Sequence, residues 1–205
     1  MHPARDFREA DRAELIARAG ERGFAVLAAV ADGRPLVGHA PVLVDGRRLR
    51  FHLSAANRLT AAVVEAGWVL AVITGEDAYV SPDWYAAADQ VPTWNYVSVE
   101  IEGPTRVLSR AETIQLLDDL SARYEAWLSP KQPWTRAKMD PARFEAMIGG
   151  IVGFEITIER IEGTTKLSQN KPTGDVARVA AELAKLDDDG ARKIARRMVR
   201  RLAAD

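Results

Sequence analysis

The 205-residue chain contains no cysteine. Disulfide bridges and thiolate metal centres are thereby excluded, and the composition suits a reducing compartment. Histidine is scarce. Only His2, His39 and His52 occur, none of them paired at an HxxH or HExxH spacing, so no metal site is expected. No apolar run approaches the ~18 residues that a membrane helix needs, and no secretory leader pattern opens the chain. A cytoplasmic protein without a membrane partner is the expectation. Charge of one sign is not in excess either, since the net charge is −1, and nothing global demands nucleic acid or a lipid surface. The length suits one domain, with room for a helical appendage.

What is present reads as strands with helices around them. Residues 6–21 are expected as a helix with Phe7, Leu15 and Ile16 inward, stopped by Gly20 and Gly23. Residues 24–30 are apolar without alternation, which predicts a strand covered on both faces. Asp32-Gly33 and Asp45-Gly46 are hairpin turns joining strands 24–31, 34–44 and 47–54. In the third strand Leu49, Phe51 and Leu53 point one way, while Arg48, Arg50, His52 and Ser54 point the other. Such a cationic row suits a phosphate monoester, although a solvated strand face gives the same pattern. His39, on the neighbouring strand, reads as a core histidine. A helix over 57–65, entered at Ala56–Asn57, adds its free N–H groups beside the row.

Residues 68–74 are an apolar strand, and Ala78 to Glu102 then form the densest cluster of chemistry in the chain. Extended pieces at 78–81 and 93–102 bracket a loop stiffened by Pro82 and Pro92. Ser81, Thr93 and Asn95 are interleaved with the rings of Tyr79, Trp84, Tyr85, Trp94 and Tyr96. Aromatic rings beside fixed donors and acceptors suit a planar ligand, although each ring alone reads equally as core. Residues 110–128 are a helix with a stripe of Ile114, Leu117, Leu120, Tyr124 and Trp127, and a second helix over 141–148 ends at Gly149-Gly150. Residues 151–166 are expected as strand, with Glu155 outward and a phase slip at Arg160-Ile161. The polar turn 166–172 precedes helices over 175–186 and 191–202. The last carries Arg192, Lys193, Arg196, Arg197, Arg200 and Arg201 around a narrow stripe of Ile194, Met198 and Leu202. Weak docking is expected of it, with DNA contact at most non-specific, and no helix-turn-helix pattern is present.

The segments FREADRAELI, AYVSPDWY, VPTWNYV, IVGFEI and KLSQNKP, in that order, resemble the motifs of the PaiB-like FMN-binding transcriptional regulators across residues 2–185. The resemblance implies a mainly β protein with helices (α+β), an FMN-binding split β-barrel with peripheral helices. It places the barrel over 1–172, with a helical insertion at about 110–148, and C-terminal helices over 173–205. It also implies a homodimer with FMN at the interface, into which the outward face of strand 47–54 would be buried. Arg50, His52, Ser54 and Asn57 would then take the FMN phosphate, with His39 also among the cofactor-binding residues. Tyr79, Ser81, Trp94 and Asn95 would lie along the isoalloxazine ring, and Lys166, Gln169 and Asn170 would approach its polar edge. His2-Pro3 and the short alanine-rich loop 86–90 depart from the family pattern. Two functions share these residues, a flavin-binding regulator with DNA as a possible partner and a flavin-dependent oxidoreductase of the reductase or pyridoxamine-phosphate-oxidase kind; a third reading is a flavin-free dimeric barrel acting as an interaction module. No nucleophile–base pair stands out, so no catalytic residue is named.

Overall fold

The computed structural model describes residues 3–203, so His2 lies outside the described residues. The chain divides into two compact units. One holds residues 16–73 and 100–161; the other holds the described residues up to Leu15, then 74–99, and those from Glu162 onward.

The first unit contains six strands that close on themselves. β2 (Phe24–Ala31), β3 (Arg34–Asp45) and β4 (Arg48–Ser54) follow one another as antiparallel neighbours. β4 continues to β7 (Ile151–Thr157), β7 pairs with the second half of β6 (Thr93–Val107), and β5 (Trp68–Val80) links β6 back to β2. The short turns follow from local chemistry. Asp32 and Gly33 both take positive φ, 51° and 71°, which a tight two-residue hairpin loop requires. Inside the ring, Leu27, Val42, Leu49, Phe51, Ala71, Ile101, Phe154 and Ile156 are buried, and the register partners Phe51 and Phe154 stack at 5.2 Å. Where β6 leaves β7, the backbone of Thr157 comes so close to Gly103 that a Cβ there would lie 1.9 Å from its carbonyl oxygen. Only glycine fits.

On the outside of this unit, α3 (Arg110–Ala126) packs through Leu116 and Leu120 against Leu43 and Leu108. A Ser109/Glu112 capping box starts α3, and α4 (Pro141–Ile148) follows it after a long loop. The buried positions on α3 are Thr113, Leu116 and Leu120, a stripe displaced from the expected one, because the apolar residues ring most of this helix. β2 alternates after all: Ala25, Leu27 and Ala29 are buried, whereas Phe24 and Val30 are exposed. α2 (Arg58–Ala66) covers one end of the ring, with Leu59 against Gly38.

The second unit joins β1 (Arg8–Glu9) to β8 (Arg160–Lys166), with Arg8 opposite Thr164, and β6 and β5 follow β8 in the sheet. α5 (Thr173–Lys185) and α6 (Asp189–Leu202) share a core with Ala78, Val80 and Val97 of the strands. Ile194 and Met198 are fully buried there, joined by Ala191 and Ala195. The expected weak docking of α6 is therefore corrected, because alanines widen the narrow stripe into a packing face. β5 also runs unbroken through Gly75-Glu76-Asp77, and the expected strand 151–166 is two strands with different partners. The N-terminal helix is α1 (Arg12–Arg22), shorter than expected: Phe7 is buried from a separate 3-10 turn at Arg5–Phe7, and Gly20 lies within α1.

Candidate functional site

In the barrel unit, the row on β4 is divided by α3. Arg50 is half-buried and hydrogen-bonds Asp45 of its own hairpin and Asp119 of α3, both at 3.2 Å. His52 lines a cavity of about 220 Å³ with Leu117, Leu120, Tyr124 and Trp134, so α3 of the same chain covers it. Its Nδ1 is buried without a hydrogen-bond partner among the described residues, and desolvation lowers the imidazole pKa, favouring the neutral ring. This corrects the expectation that a second chain covers the whole outward face of strand 47–54. Ser54 lies beyond the helix and is exposed. Asn57 caps α2, its side chain accepting the Leu59 N–H at 2.9 Å, as its position predicted. Arg58, which sequence reasoning passed over, opens α2 beside them, exposed and with no carboxylate partner among the described residues. His39 is exposed and stacks on Phe24 at 6.5 Å, so it is not a core histidine.

A second cationic group, Arg48 and Arg106, is neutralised in place. Arg106 binds the buried Glu155 at 2.9 Å and Glu112 at 2.8 Å, and Arg48 approaches Glu155 at 3.7 Å. The two bonds from Arg106 and the capping backbone of Ser109 hold the Glu112 carboxyl down to about 2. Glu155, expected outward, is 7 % exposed because the α3 cap folds over it.

In the other unit, Tyr79 and Trp94 meet edge to face at 6.1 Å and are 47 % and 54 % exposed, so large aromatic surface stands open to a ligand. Lys166 donates to Thr93 Oγ1 at 2.6 Å with its ammonium 5.7 Å from the Phe7 ring, and it has no carboxylate partner among the described residues. Partial burial lowers its pKa. Asn95 is turned the other way, fully buried, with its Nδ2 on Ser168 Oγ at 3.0 Å and Met198 Sδ at 3.7 Å. Gln169 is likewise occupied, accepting from Leu167 N–H and donating to the carbonyls of Thr165 and Asp6. Ser81 caps the 3-10 turn Pro82–Trp84, and Asn170 is exposed. Thus Tyr79 and Trp94 are brought together and Lys166 is set by Thr93 and Phe7, while Asn95 and Gln169 hold the 166–170 turn.

Residues 1–160 match the family model described as "Putative FMN-binding domain". The chain is also 27% identical over 202 residues to "Protease synthase and sporulation protein PAI 2" of Bacillus subtilis (strain 168), across 97% of this chain and 96% of that protein. It belongs to the PaiB-like FMN-binding family. The cofactor of this PaiB-like chain is FMN. Among solved structures, an FAD and heme binding protein from Mycobacterium smegmatis superposes with a TM-score of 0.60 at 17% identity, covering 83% of this chain and 78% of that one. The flavocytochrome Anf3 from Azotobacter vinelandii gives 0.57 at 18%, over 80% and 72%. These likenesses show the α+β split-barrel fold. No helix among the described residues is long and apolar enough to cross a membrane.

The donor chemistry of the PaiB-like chain fits FMN. A phosphate monoester needs a cation, a hydroxyl and an amide donor, and Arg58, Ser54 and the start of α2 supply them. A flat ring needs aromatic faces, and its carbonyl edge needs a donor. Tyr79, Trp94 and Lys166 have those properties.

Proposed function

We propose that this PaiB-like protein is a homodimeric flavin-responsive regulator. Its phosphate contact is assigned to Ser54, Asn57 and Arg58 of the barrel unit; in the other unit Tyr79, Trp94 and Lys166, taken by themselves, form a surface suited to a flavin ring. When bound, FMN supplies a redox-active ring whose charge changes on reduction. Of the chain's own residues, Arg58 recognises the dianion. The observation that carries the cofactor assignment is the unpartnered Arg58 at the opening of α2, in a chain whose first 160 residues match the FMN-binding family. The regulatory output rests on the 27% identity that spans almost the whole of both chains.

Support for the dimer comes from one outer face of the barrel. Val26 of β2 lies opposite His39 of β3 and Val72 of β5, Ala28 lies opposite Val37 and Leu70, and Phe24 and Val30 flank them opposite Pro41 and Pro35. Val30 and Val37 are 58 % and 59 % exposed. A contiguous apolar face of this kind marks an association surface, and a second copy covers it through a two-fold contact. The unbroken apolar sequence of residues 24–30 fits this reading, because the alternate residues of β2 that the barrel leaves uncovered are apolar as well.

The test compares FMN with riboflavin on wild type and Arg58→Ala. Loss of a charge-assisted contact is expected to weaken FMN by roughly 1.5–3 kcal/mol, about 10–150-fold, and to leave riboflavin unchanged. Equal losses for both ligands would put the phosphate elsewhere. For the output, α6 offers DNA three cations without ion pairs among the described residues, Arg196, Arg200 and Arg201, since Arg192, Lys193 and Arg197 pair with Asp187, Asp189 and Glu76. Duplex binding that changes with flavin loading supports the regulator. Turnover of a reductant by the flavin, with no DNA binding, would transfer the assignment to an oxidoreductase.

A further inference from the structure

β6 and β7 are hydrogen-bonded neighbours that a few-residue turn would join. Instead α3, a long loop and α4 stand between them. α3 uses one side, Thr113, Leu116 and Leu120, to close over the barrel. Its other side carries Asp118, Ala122 and Ala126 at four-residue intervals, which align on one face. Those residues floor a cleft of about 710 Å³, with Trp134, Met139 and Phe144 as walls. The alanines keep the floor low, and Ile148 is the only buried side chain of α4, so the cleft stays open rather than collapsing into core. Its size falls in the range of small-molecule sites, about 300–1,000 Å³.

The charges around the cleft define what it takes. Arg136 is clamped by both Asp118 oxygens at 3.1 and 3.0 Å and lies 5.0 Å from the Phe144 ring. Glu145 is bound by Arg110, and the Ser121 hydroxyl donates to the Leu117 carbonyl. An ionic ligand would have to break the Asp118–Arg136 pair. A neutral one gains the indole, the phenyl ring and the polarisable thioether without that cost. We propose that the cleft between α3 and α4 binds a neutral, apolar small molecule bearing an aromatic ring, at a site separate from the residues assigned to FMN.

The experiment uses the full-length, FMN-loaded protein and the neutral fluorophore N-phenyl-1-naphthylamine. Saturable enhancement at one probe per chain is expected. Ala122→Trp fills the floor and should lower probe affinity at least about tenfold while the flavin absorbance is unchanged. Asp118→Asn releases the charge of Arg136 without filling the cleft. It should shift preference from the neutral probe toward its sulfonate analogue, 8-anilinonaphthalene-1-sulfonate, by about tenfold. That second variant keeps the test decisive if Ala122→Trp fails to fold. Non-saturable binding, indifference to Asp118→Asn, or displacement of the probe by added FMN or by self-association would each overturn the assignment.

Discussion

Replacing Asn95 by leucine probes the junction on which the 166–170 turn depends. Asn95 is fully buried, and three polar side chains meet there. The Ser168 hydroxyl has one proton and two acceptor positions. It lies 3.3 Å from Asn95 Oδ1, 3.0 Å from Asn95 Nδ2 and 3.3 Å from the Tyr85 hydroxyl. Every valence is filled when Ser168 donates to Oδ1 and accepts from both others. Asn95→Leu keeps the volume and removes the amide, which deletes two bonds worth about 1 kcal/mol each and strands a buried hydroxyl proton at about 1–3 kcal/mol. A loss of roughly 3–5 kcal/mol follows, or about 6–20 °C in Tm for a chain of this size. Ser168→Ala in the same background should restore part of it, a coupling of at least about 1 kcal/mol in a double-mutant cycle. Ser168 itself takes φ of 59°, so Ser168→Gly should be milder than Ser168→Ala by about 1 kcal/mol. Urea denaturation followed by circular dichroism reads all five species, wild type included. Additive effects, or an Asn95→Leu protein within about 0.5 kcal/mol of wild type, would refute the network as drawn.

Burial lowers the His52 pKa from its ordinary 6.5, so the unfolded chain binds the proton more readily, and the stability from this group is complete above 6.5 and lost as pH falls below it. In His52→Leu, the stability difference between pH 7 and pH 5 should shrink, as measured by denaturant titration; an unchanged difference would exclude the assignment. Gly103→Ala drives a Cβ into the Thr157 backbone and should cost about 3 kcal/mol or more, whereas Gly163→Ala meets the end of the Leu15 side chain at 2.2 Å and Glu9 Cβ at 3.1 Å, side-chain atoms rather than backbone, and should cost about 1–2. Val37→Glu puts a charge on the apolar barrel face and should convert a dimer to monomer in light scattering; a wild type that is already monomeric at micromolar concentration rejects that interface. Lys166→Met keeps the stem over Phe7 and removes the ammonium, so it should weaken FMN without lowering Tm.

Local chemistry made much of the barrel legible. The two Asp-Gly turns, the alternation of β4 and the Asn57 cap depend on neighbours in sequence, and all lie where their residues put them. What escaped depends on distant partners. The expected strand ends at residue 74, yet β5 continues through Gly75-Glu76-Asp77, and Arg197 of α6 binds Glu76 at 2.8 Å. Asn95 and Gln169 carry the right functional groups for a flavin edge, but which side of a strand faces the helices is decided by Ser168 and Met198, far along the chain. Arg58 was overlooked because a cation is recognised as unpaired only once its surroundings are known.

The chain passes between its two units at residues 15, 73, 99 and 161, and this fixes an order of assembly. The six-stranded ring needs nothing beyond Ile161, so a growing chain holds every piece of it while α5 and α6 are still to be made. The other unit waits longest. Arg8, among the first residues synthesised, pairs opposite Thr164, and Asn95 is not covered until Met198 arrives. Closing such long loops slows folding, so the Tyr79–Trp94 strands are expected to be the last to be sheathed during synthesis.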